Sequence, residues 1–168
     1  MPDSSTNPQN LGPPQSAAHI TRKFEPHHAP AVAAILRQSP EAAEWSRKSI
    51  EQLEQRGEIA WVVETPGDSA GHVAGVLVAR AVAGEAEILN LCVDPSKRRT
   101  GHATSLLDTA VAELLRLHVK TIFLEVRESN QAAISFYQRH GFLRTGSRPT
   151  YYQNPTEDAV LMMRELTG

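Results

Sequence analysis

Apolar side chains recur along this chain with two periods, one typical of β-strands and one typical of helices. Strands are predicted at residues 19–25, 59–64, 72–81, 85–93, 121–126, 142–150 and 159–165. Helices are predicted at residues 29–38, 41–55 and 101–117, and in a last segment that Ser129 or Asn130 caps and Gly141 ends. The predicted order is β-α-α-β-β-β-α-β-α-β-β. Its β-α-β crossover predicts that two of the strands pair in parallel.

The first 18 residues differ from the rest of the chain. They are rich in Pro, Ser, Asn and Gln, and Leu11 is their only large apolar residue after Met1. Such a segment buries too little apolar surface to offset the entropy of ordering it. We therefore predict a disordered tail at residues 1–18 and a single domain at residues 19–168, as the length of 168 residues favours.

Composition excludes several classes of protein. The net charge of -2 indicates no general affinity for nucleic acid, and no apolar run is long enough to span a membrane. One cysteine excludes an internal disulfide and favours a reducing compartment, and no secretory signal is evident. A cytoplasmic protein without a membrane partner is expected. The seven histidines lack the spacing of a metal site, so no metal is predicted.

A basic loop lies between the strand at 85–93 and the helix at 101–117. Its cations are the consecutive residues Lys97, Arg98 and Arg99. A helix N-terminus offers unpaired N–H groups and a positive dipole end, and Gly101 and Ala103 allow a ligand to approach the main chain. The stretch predicts a diphosphate site, with an ordinary surface turn as the alternative. His102 would contact either phosphate or only solvent.

Two residues are candidates for proton transfer. Glu125 interrupts an apolar strand, where a poorly hydrated carboxylate suits a general base, although it could equally be an edge residue that points to water. Tyr137 shares a helix face with Ala133, Phe136 and His140. It could be a core tyrosine with a locally bonded hydroxyl, or it could donate a proton to a reacting group.

Three sequence motifs resemble known proteins. R-x-x-G-x-A at residues 98–103 resembles the acyl-CoA pyrophosphate loop of the GNAT N-acetyltransferase superfamily. Residues 125–142 are similar to the L-E-V-R-x-S-N-x-x-A-I-x-L-Y-x-x-x-G-F block of RimI-type ribosomal protein alanine N-acetyltransferases, and residues 151–159 resemble the N-Y-Y-P…E-D-A segment of that group. The resemblance implies the GNAT fold, an α/β (α+β) arrangement with a mixed central sheet of six to seven strands and about four flanking helices.

The resemblance also implies roles for individual residues, with acetyl-CoA as co-substrate. Glu125 would be the general base, directly or through water, and Tyr137 the general acid that protonates the departing CoA thiolate. Asn130 would hydrogen-bond the cofactor. The remaining cofactor contacts would come from the main chain of Leu91, Cys92 and Val93 and from Arg98, Arg99, Thr100, Gly101, His102, Ala103 and Thr104.

The acceptor site is expected to contain Trp45, Tyr151 and Tyr152. The alternatives are a core position for Trp45 and a strand with one tyrosine in and one out. Glu44 stands where the RimI-type group usually has the proline of a Pro-Trp-Ser motif. Cys92 lacks the partners of a nucleophile, and its thiol is expected in the core.

The resemblance implies an N-terminal α-amine as acceptor, in particular the N-terminal alanine of a small-subunit ribosomal protein. An α-amine has a pKa near 7.7–8.0 and lysine near 10.4, so a single carboxylate deprotonates the α-amine more readily. Glu41, Glu44, Glu51 and Glu54 could form an acidic groove for a basic substrate. The alternatives are a lysine or small-molecule amine as acceptor, and an acyl-CoA-binding module without turnover.

Overall fold

The computed structural model describes residues 19–39, 41, 45–66 and 72–167. The strands are β1 (Ile20–Lys23), β2 (Glu58–Thr65), β3 (His72–Val82), β4 (Glu85–Val93), β5 (Thr121–Arg127), β6 (Leu143–Tyr152) and β7 (Glu157–Glu165), and the helices are α1 (Ala29–Arg37), α2 (Arg47–Glu51), α3 (His102–Arg116) and α4 (Gln131–Arg139). The predicted element order is confirmed. The predicted tail lies outside the described residues. Within the described part of the chain, no helix has the length and apolarity needed to cross a membrane.

The seven strands form one mixed sheet in the order β1-β2-β3-β4-β5-β7-β6. Only β4 and β5 are parallel, as the crossover predicts. Successive residues of β2 alternate between two buried clusters, with Trp61 and Val63 in one and Ala60 and Val62 in the other. Because adjacent strand residues point to opposite faces, the clusters cover the two sides of the sheet. α3 and α4 pack on the first side, and α1 and α2 pack on the second.

The sheet opens between its two parallel strands. β4 pairs with β5 only over its first four residues, Glu85 to Ile88. Leu89 is an extra residue in the pairing of β4 with β3, because Val78 faces Asn90 whereas the next residue, Ala79, faces Ile88. A bulge of this kind bends its strand. The rest of β4 therefore leaves β5, and a gap opens at the carboxyl ends of the two strands.

The predicted helix at 41–55 is much shorter than expected. Glu41 lies in a turn, residues 42–44 lie outside the described residues, and α2 begins only after Ser46. The Ser46 hydroxyl accepts a hydrogen bond from the Ser49 N–H, which fixes the first turn of α2. A separate 3₁₀ turn follows and ends at Gly57, whose φ of +73° favours glycine.

Gly75 keeps the end of β4 close to α3. It pairs with Val93, and a Cβ there would lie 2.8 Å from the Cys92 carbonyl oxygen and 3.2 Å from Leu106 Cδ1. We expect Gly75→Ala to lower the free energy of unfolding by about 1–3 kcal/mol, because β4 must shift to admit the methyl group. Urea denaturation measures this loss. Gly146→Ala is the matched control, since its Cβ would meet only Leu161 Cδ1 at 3.6 Å. Equal effects of the two substitutions would contradict the prediction.

Candidate active site

A cavity of about 1260 Å³ fills the gap between β4 and β5. The N-terminal end of α3, one side of α4 and the end of β6 complete its walls. Most of the residues predicted for the site line it: Leu91, Cys92, Val93, Arg98, Arg99, Gly101, His102, Ala103, Thr104, Glu125, Asn130, Tyr137, Tyr151 and Tyr152. Thr100 and Trp45 do not. The fold therefore brings together segments that are up to about sixty residues apart in the sequence.

The basic loop has the backbone expected of an anion site. The Asp94 carboxylate accepts hydrogen bonds from the Ser96 hydroxyl and from the Ser96 N–H, which lower the pKa of Asp94 and fix the turn after β4. Gly101 has a φ of +89° just before α3 begins. Apart from Gly101 itself and its two chain neighbours, no described residue has an atom within 4 Å of the position that a Cβ on Gly101 would take. The main chain at the positive end of α3 is thus open to a ligand.

Arg98, which was predicted to clamp phosphate, lines the cavity and is also bonded to three other residues of the chain. Its guanidinium donates to the Val93 carbonyl at 3.2 Å and to the Ser39 hydroxyl at 3.1 Å, and it also pairs with the Glu41 carboxylate. These bonds fasten the loop to the end of β4 and to the segment after α1. Arg99 forms no ion pair with any described residue and has a left-handed φ of +65°. Of these two adjacent arginines, Arg99 is therefore the one without an ion pair among the described residues.

Two loop side chains are placed differently from the prediction. His102 is only 3% exposed, so its ring does not point into bulk solvent, although the residue lines the cavity. The ring packs edge-on against His19 at 5.0 Å, and burial lowers the pKa of His102. The Thr100 hydroxyl donates to the Lys97 carbonyl at 2.6 Å and so braces the loop.

Glu125 lies at the point where β5 parts from β4, one residue after their last pair. β5 is an interior strand, so Glu125 is not an edge residue. Its side chain is 19% exposed, and its Oε1 lies 2.8 Å from Arg148 Nη1. The Tyr151 hydroxyl also hydrogen-bonds this carboxylate, which raises the pKa of Tyr151. Glu125 is thus held by polar partners rather than isolated among apolar ones.

Tyr137 reaches the same cavity from α4. Its ring packs against Phe136 and Phe142, each at 5.3 Å between centroids, and Gly141 ends the helix with the predicted left-handed φ of +81°. Burial raises the pKa of Tyr137. Among the residues that the structure describes, its hydroxyl has no hydrogen-bond partner. A protonated phenol therefore lines the cavity without the local bond expected of a core tyrosine.

Asn130 is the N-cap of α4. Its Oδ1 accepts a hydrogen bond from the Ala133 N–H at 3.1 Å. This bond confirms one of the two predicted caps and fixes the rotation of the side chain. The amide nitrogen of Asn130 is the atom that could donate to a ligand.

Tyr151 and Tyr152 both line the cavity, so the alternative of one ring in and one out is wrong. β6 shifts register between Arg148 and Tyr152, and Thr150 has a φ of +50°. This irregularity directs both tyrosines to the same side, as bulges commonly do. Arg148 stacks over Tyr151 at 4.8 Å, and Arg127 over Tyr152 at 4.3 Å. Burial is the main cause that raises the pKa of Tyr152 to about 12.

Trp45 lies in a different cavity, of about 280 Å³, together with Glu58 and Arg80. The Arg56 guanidinium lies 5.7 Å from the centre of the Trp45 ring. Leu89, the bulge residue of β4, lines both cavities. Trp45 therefore borders the site through Leu89 and not by direct contact with the main cavity. Within the described residues, no group of three or more His, Cys, Asp or Glu could hold a metal ion.

Sequence comparison identifies the class to which this fold and site belong. Residues 26–142 match the Acetyltransferase (GNAT) family, so the chain belongs to that family. The [Ribosomal protein bS18]-alanine N-acetyltransferase of Escherichia coli K12 is 38% identical over 94 residues, which cover 55% of this chain and 64% of that protein. The chain thus matches less than two thirds of the length of this relative.

Two further comparisons cover more of both chains. The Salmonella typhimurium protein of the same name is 33% identical over 129 residues, 76% of this chain and 84% of that protein. The crystal structure of the Escherichia coli ribosomal-protein alanine N-acetyltransferase superposes with a TM-score of 0.76 at 28% identity, over 90% of this chain and 97% of that one. The resemblance to the RimI-type group and the GNAT fold are confirmed.

Proposed function

We propose that this protein transfers the acetyl group of acetyl-CoA to the N-terminal α-amine of a protein, specifically the N-terminal alanine of a ribosomal protein met in the cytoplasm. The observation that carries the proposal is the meeting of Glu125 and Tyr137 in one cavity with the open N-terminal end of α3. A carboxylate, a protonated phenol and an anion-binding helix end suit transfer from a CoA thioester to an amine. The names of the relatives supply the specific acceptor.

Features of the cavity fit acetyl-CoA. The stretch of β4 from Leu91 to Val93 has no strand partner on the β5 side, so its main-chain groups can bond an extended pantetheine arm as a strand would. Gly101, Arg99 and Lys97 would hold the diphosphate at the end of α3. Acetyl-CoA supplies an acetyl group that is already activated as a thioester.

The chemistry follows from the positions of the two proton-transfer groups. Glu125 would take a proton from the acceptor ammonium, directly or through water, so that the amine nitrogen can attack the acetyl carbon. A main-chain N–H near Val93 would stabilise the oxyanion that forms. As the new C–N bond forms and the C–S bond breaks, Tyr137 would give its proton to the sulfur. The nitrogen would then pass its second excess proton through water to the Tyr137 phenolate, and Glu125 would release its own proton to solvent. The products are the acetylated amine and CoA.

The ion pair between Glu125 and Arg148 bears on the acceptor. An acceptor ammonium that approaches Glu125 competes with the Arg148 guanidinium for the same oxygen. An α-ammonium loses its proton near neutral pH and needs only weak assistance from a base. The pKa of a lysine ammonium is about 2.5 units higher, so its deprotonation needs a stronger base. This difference supports an N-terminal amine over a lysine side chain.

A matched panel of peptides tests the acceptor. We expect acetylation of a peptide with the N-terminal sequence of ribosomal protein bS18, and at least tenfold lower kcat/KM for the same peptide with a blocked N-terminus and an internal lysine. Mass spectrometry locates the acetyl group. Replacement of the first alanine by a bulky residue serves as the control for side-chain selection. Preferential modification of the lysine, or of polyamines and drug amines in a parallel assay, would contradict the proposed acceptor and leave the acetyl-CoA assignment intact.

A further inference from the structure

The main cavity extends from the gap between β4 and β5 onto the outer side of α4. Ala132, Ser135 and Arg139 line it. Their spacing of three and then four residues places them on one stripe of the helix. Tyr137 lies about 200° around the helix axis from Arg139, because each residue turns the helix by about 100°. The stripe is therefore the outer wall of the cavity, and the buried Tyr137 marks its inner part.

The cations of the cavity differ in whether they are already paired. Arg98 pairs with Glu41, and Arg127 pairs with Glu157. Among the described residues, three other cations of the lining form no ion pair: Lys97, Arg99 and Arg139. The first two belong to the basic loop. Arg139 is exposed and belongs to a different wall of the cavity, in the last turn of α4.

We propose that Arg139 binds the 3′-phosphate of coenzyme A. The inference rests on the proposed function only for the identity of the donor. Coenzyme A carries a diphosphate and, separately, a phosphomonoester on its ribose, which has a charge of about −1.5 to −2 at neutral pH. The thioester must lie at the inner end beside Tyr137, and the diphosphate belongs at the loop. The ribose end then lies along the outer wall.

The outer wall suits that end of the molecule. Ala132 and Ser135 are small, so a ribose can lie against α4 in front of Arg139. A guanidinium donates two parallel hydrogen bonds to a phosphate, and these charge-assisted bonds are stronger than neutral ones. The alternative is an arginine that merely complements the negative end of the helix dipole. Arg116 has that alternative role, because it is exposed in the last turn of α3 and lies outside the cavity.

Calorimetric titration with coenzyme A and with 3′-dephospho-coenzyme A tests the subsite. We expect the wild-type protein to bind coenzyme A about tenfold more tightly than the dephospho form, a moderate ratio because the arginine is exposed. Arg139→Ala should weaken the binding of coenzyme A by about the same factor and leave the dephospho form unchanged. Arg139→Lys should retain part of the preference, and the matched control Arg116→Ala should retain all of it.

Equal affinity of the wild-type protein for the two compounds would overturn the proposal, and so would an undiminished preference in Arg139→Ala. An equal loss of affinity in Arg116→Ala would also overturn it, because the effect would then reflect net charge. The titration contains no acceptor, so a wrong acceptor assignment leaves its result unchanged. Absence of binding by both compounds would overturn the donor assignment together with the subsite.

Discussion

Glu125→Gln should lower kcat for acetyl transfer by about 10²- to 10⁴-fold, the range typical for loss of a general base. Glutamine preserves the shape of the side chain but cannot take the proton of the acceptor ammonium. The KM for acetyl-CoA should change little, because Glu125 lies on β5 and the predicted diphosphate contacts lie at the end of α3. A thiol-release assay at saturating acetyl-CoA measures the effect.

A neighbouring carboxylate controls for the loss of charge. Glu128 follows β5 and pairs with Arg144 at 3.4 Å, but it does not line the cavity. Glu128→Gln should therefore retain wild-type kcat. Both variants should bind coenzyme A in calorimetry, which excludes misfolding as the cause of lost activity. Near-wild-type turnover by Glu125→Gln would remove Glu125 from the proton-transfer step. If the wild-type protein bound coenzyme A but acetylated no amine, this result would favour the alternative of an acyl-CoA-binding module without turnover.

The element order was predictable because each segment carries its own periodicity. β4 and β5 are separated by one amphipathic helix, and this β-α-β crossover implies a parallel pair. The cap at Asn130 and the left-handed Gly141 were predictable for the same reason, since both are local features of α4. Local sequence therefore placed the candidate base and acid on a strand and on the helix that follows it.

The contacts that shape the site join distant parts of the chain and leave no local signal. Arg98 and Glu41 are 57 residues apart, and nothing in the basic loop indicates that Arg98 is already paired. Arg148 lies 23 residues after Glu125, on β6, which β7 separates from β5 in the sheet. The bulge at Leu89 is equally hidden, because its sequence reads as uninterrupted strand. Such features follow from how strands pair, which periodicity alone does not determine.

Some residues near the site could have been found from the sequence with one more step. Arg139 follows Ala132 and Ser135 at helical spacing, so a helical wheel places the three on the side opposite Tyr137. Trp45 was assigned to the acceptor site on resemblance, in a region where Glu44 already departs from the motif. The structure puts Trp45 in the smaller cavity beside Glu58. Resemblance is thus least informative where the motif is incomplete.

Tyr137→Phe should lower kcat by about 10- to 100-fold, at or below the lower end of the range for a general acid. The effect is smaller than that of Glu125→Gln because a thiol has a pKa near 8.5, so the CoA thiolate leaves with little assistance. The free energy of unfolding should change by less than about 0.5 kcal/mol, since no described residue hydrogen-bonds the hydroxyl that is removed.

The pH dependence distinguishes a proton donor from a packing residue at position 137. Burial raises the pKa of Tyr137 above the ordinary value of 10.0, so the phenol keeps its proton at every pH below that value. The wild-type rate should therefore show no alkaline decline caused by this group up to about pH 10. In Tyr137→Phe the sulfur must take its proton from solvent at every pH, so the rate of this variant relative to the wild type should fall as pH rises and solvent protons become scarcer. Parallel pH profiles of the two proteins would instead indicate that Tyr137 only packs against Phe142.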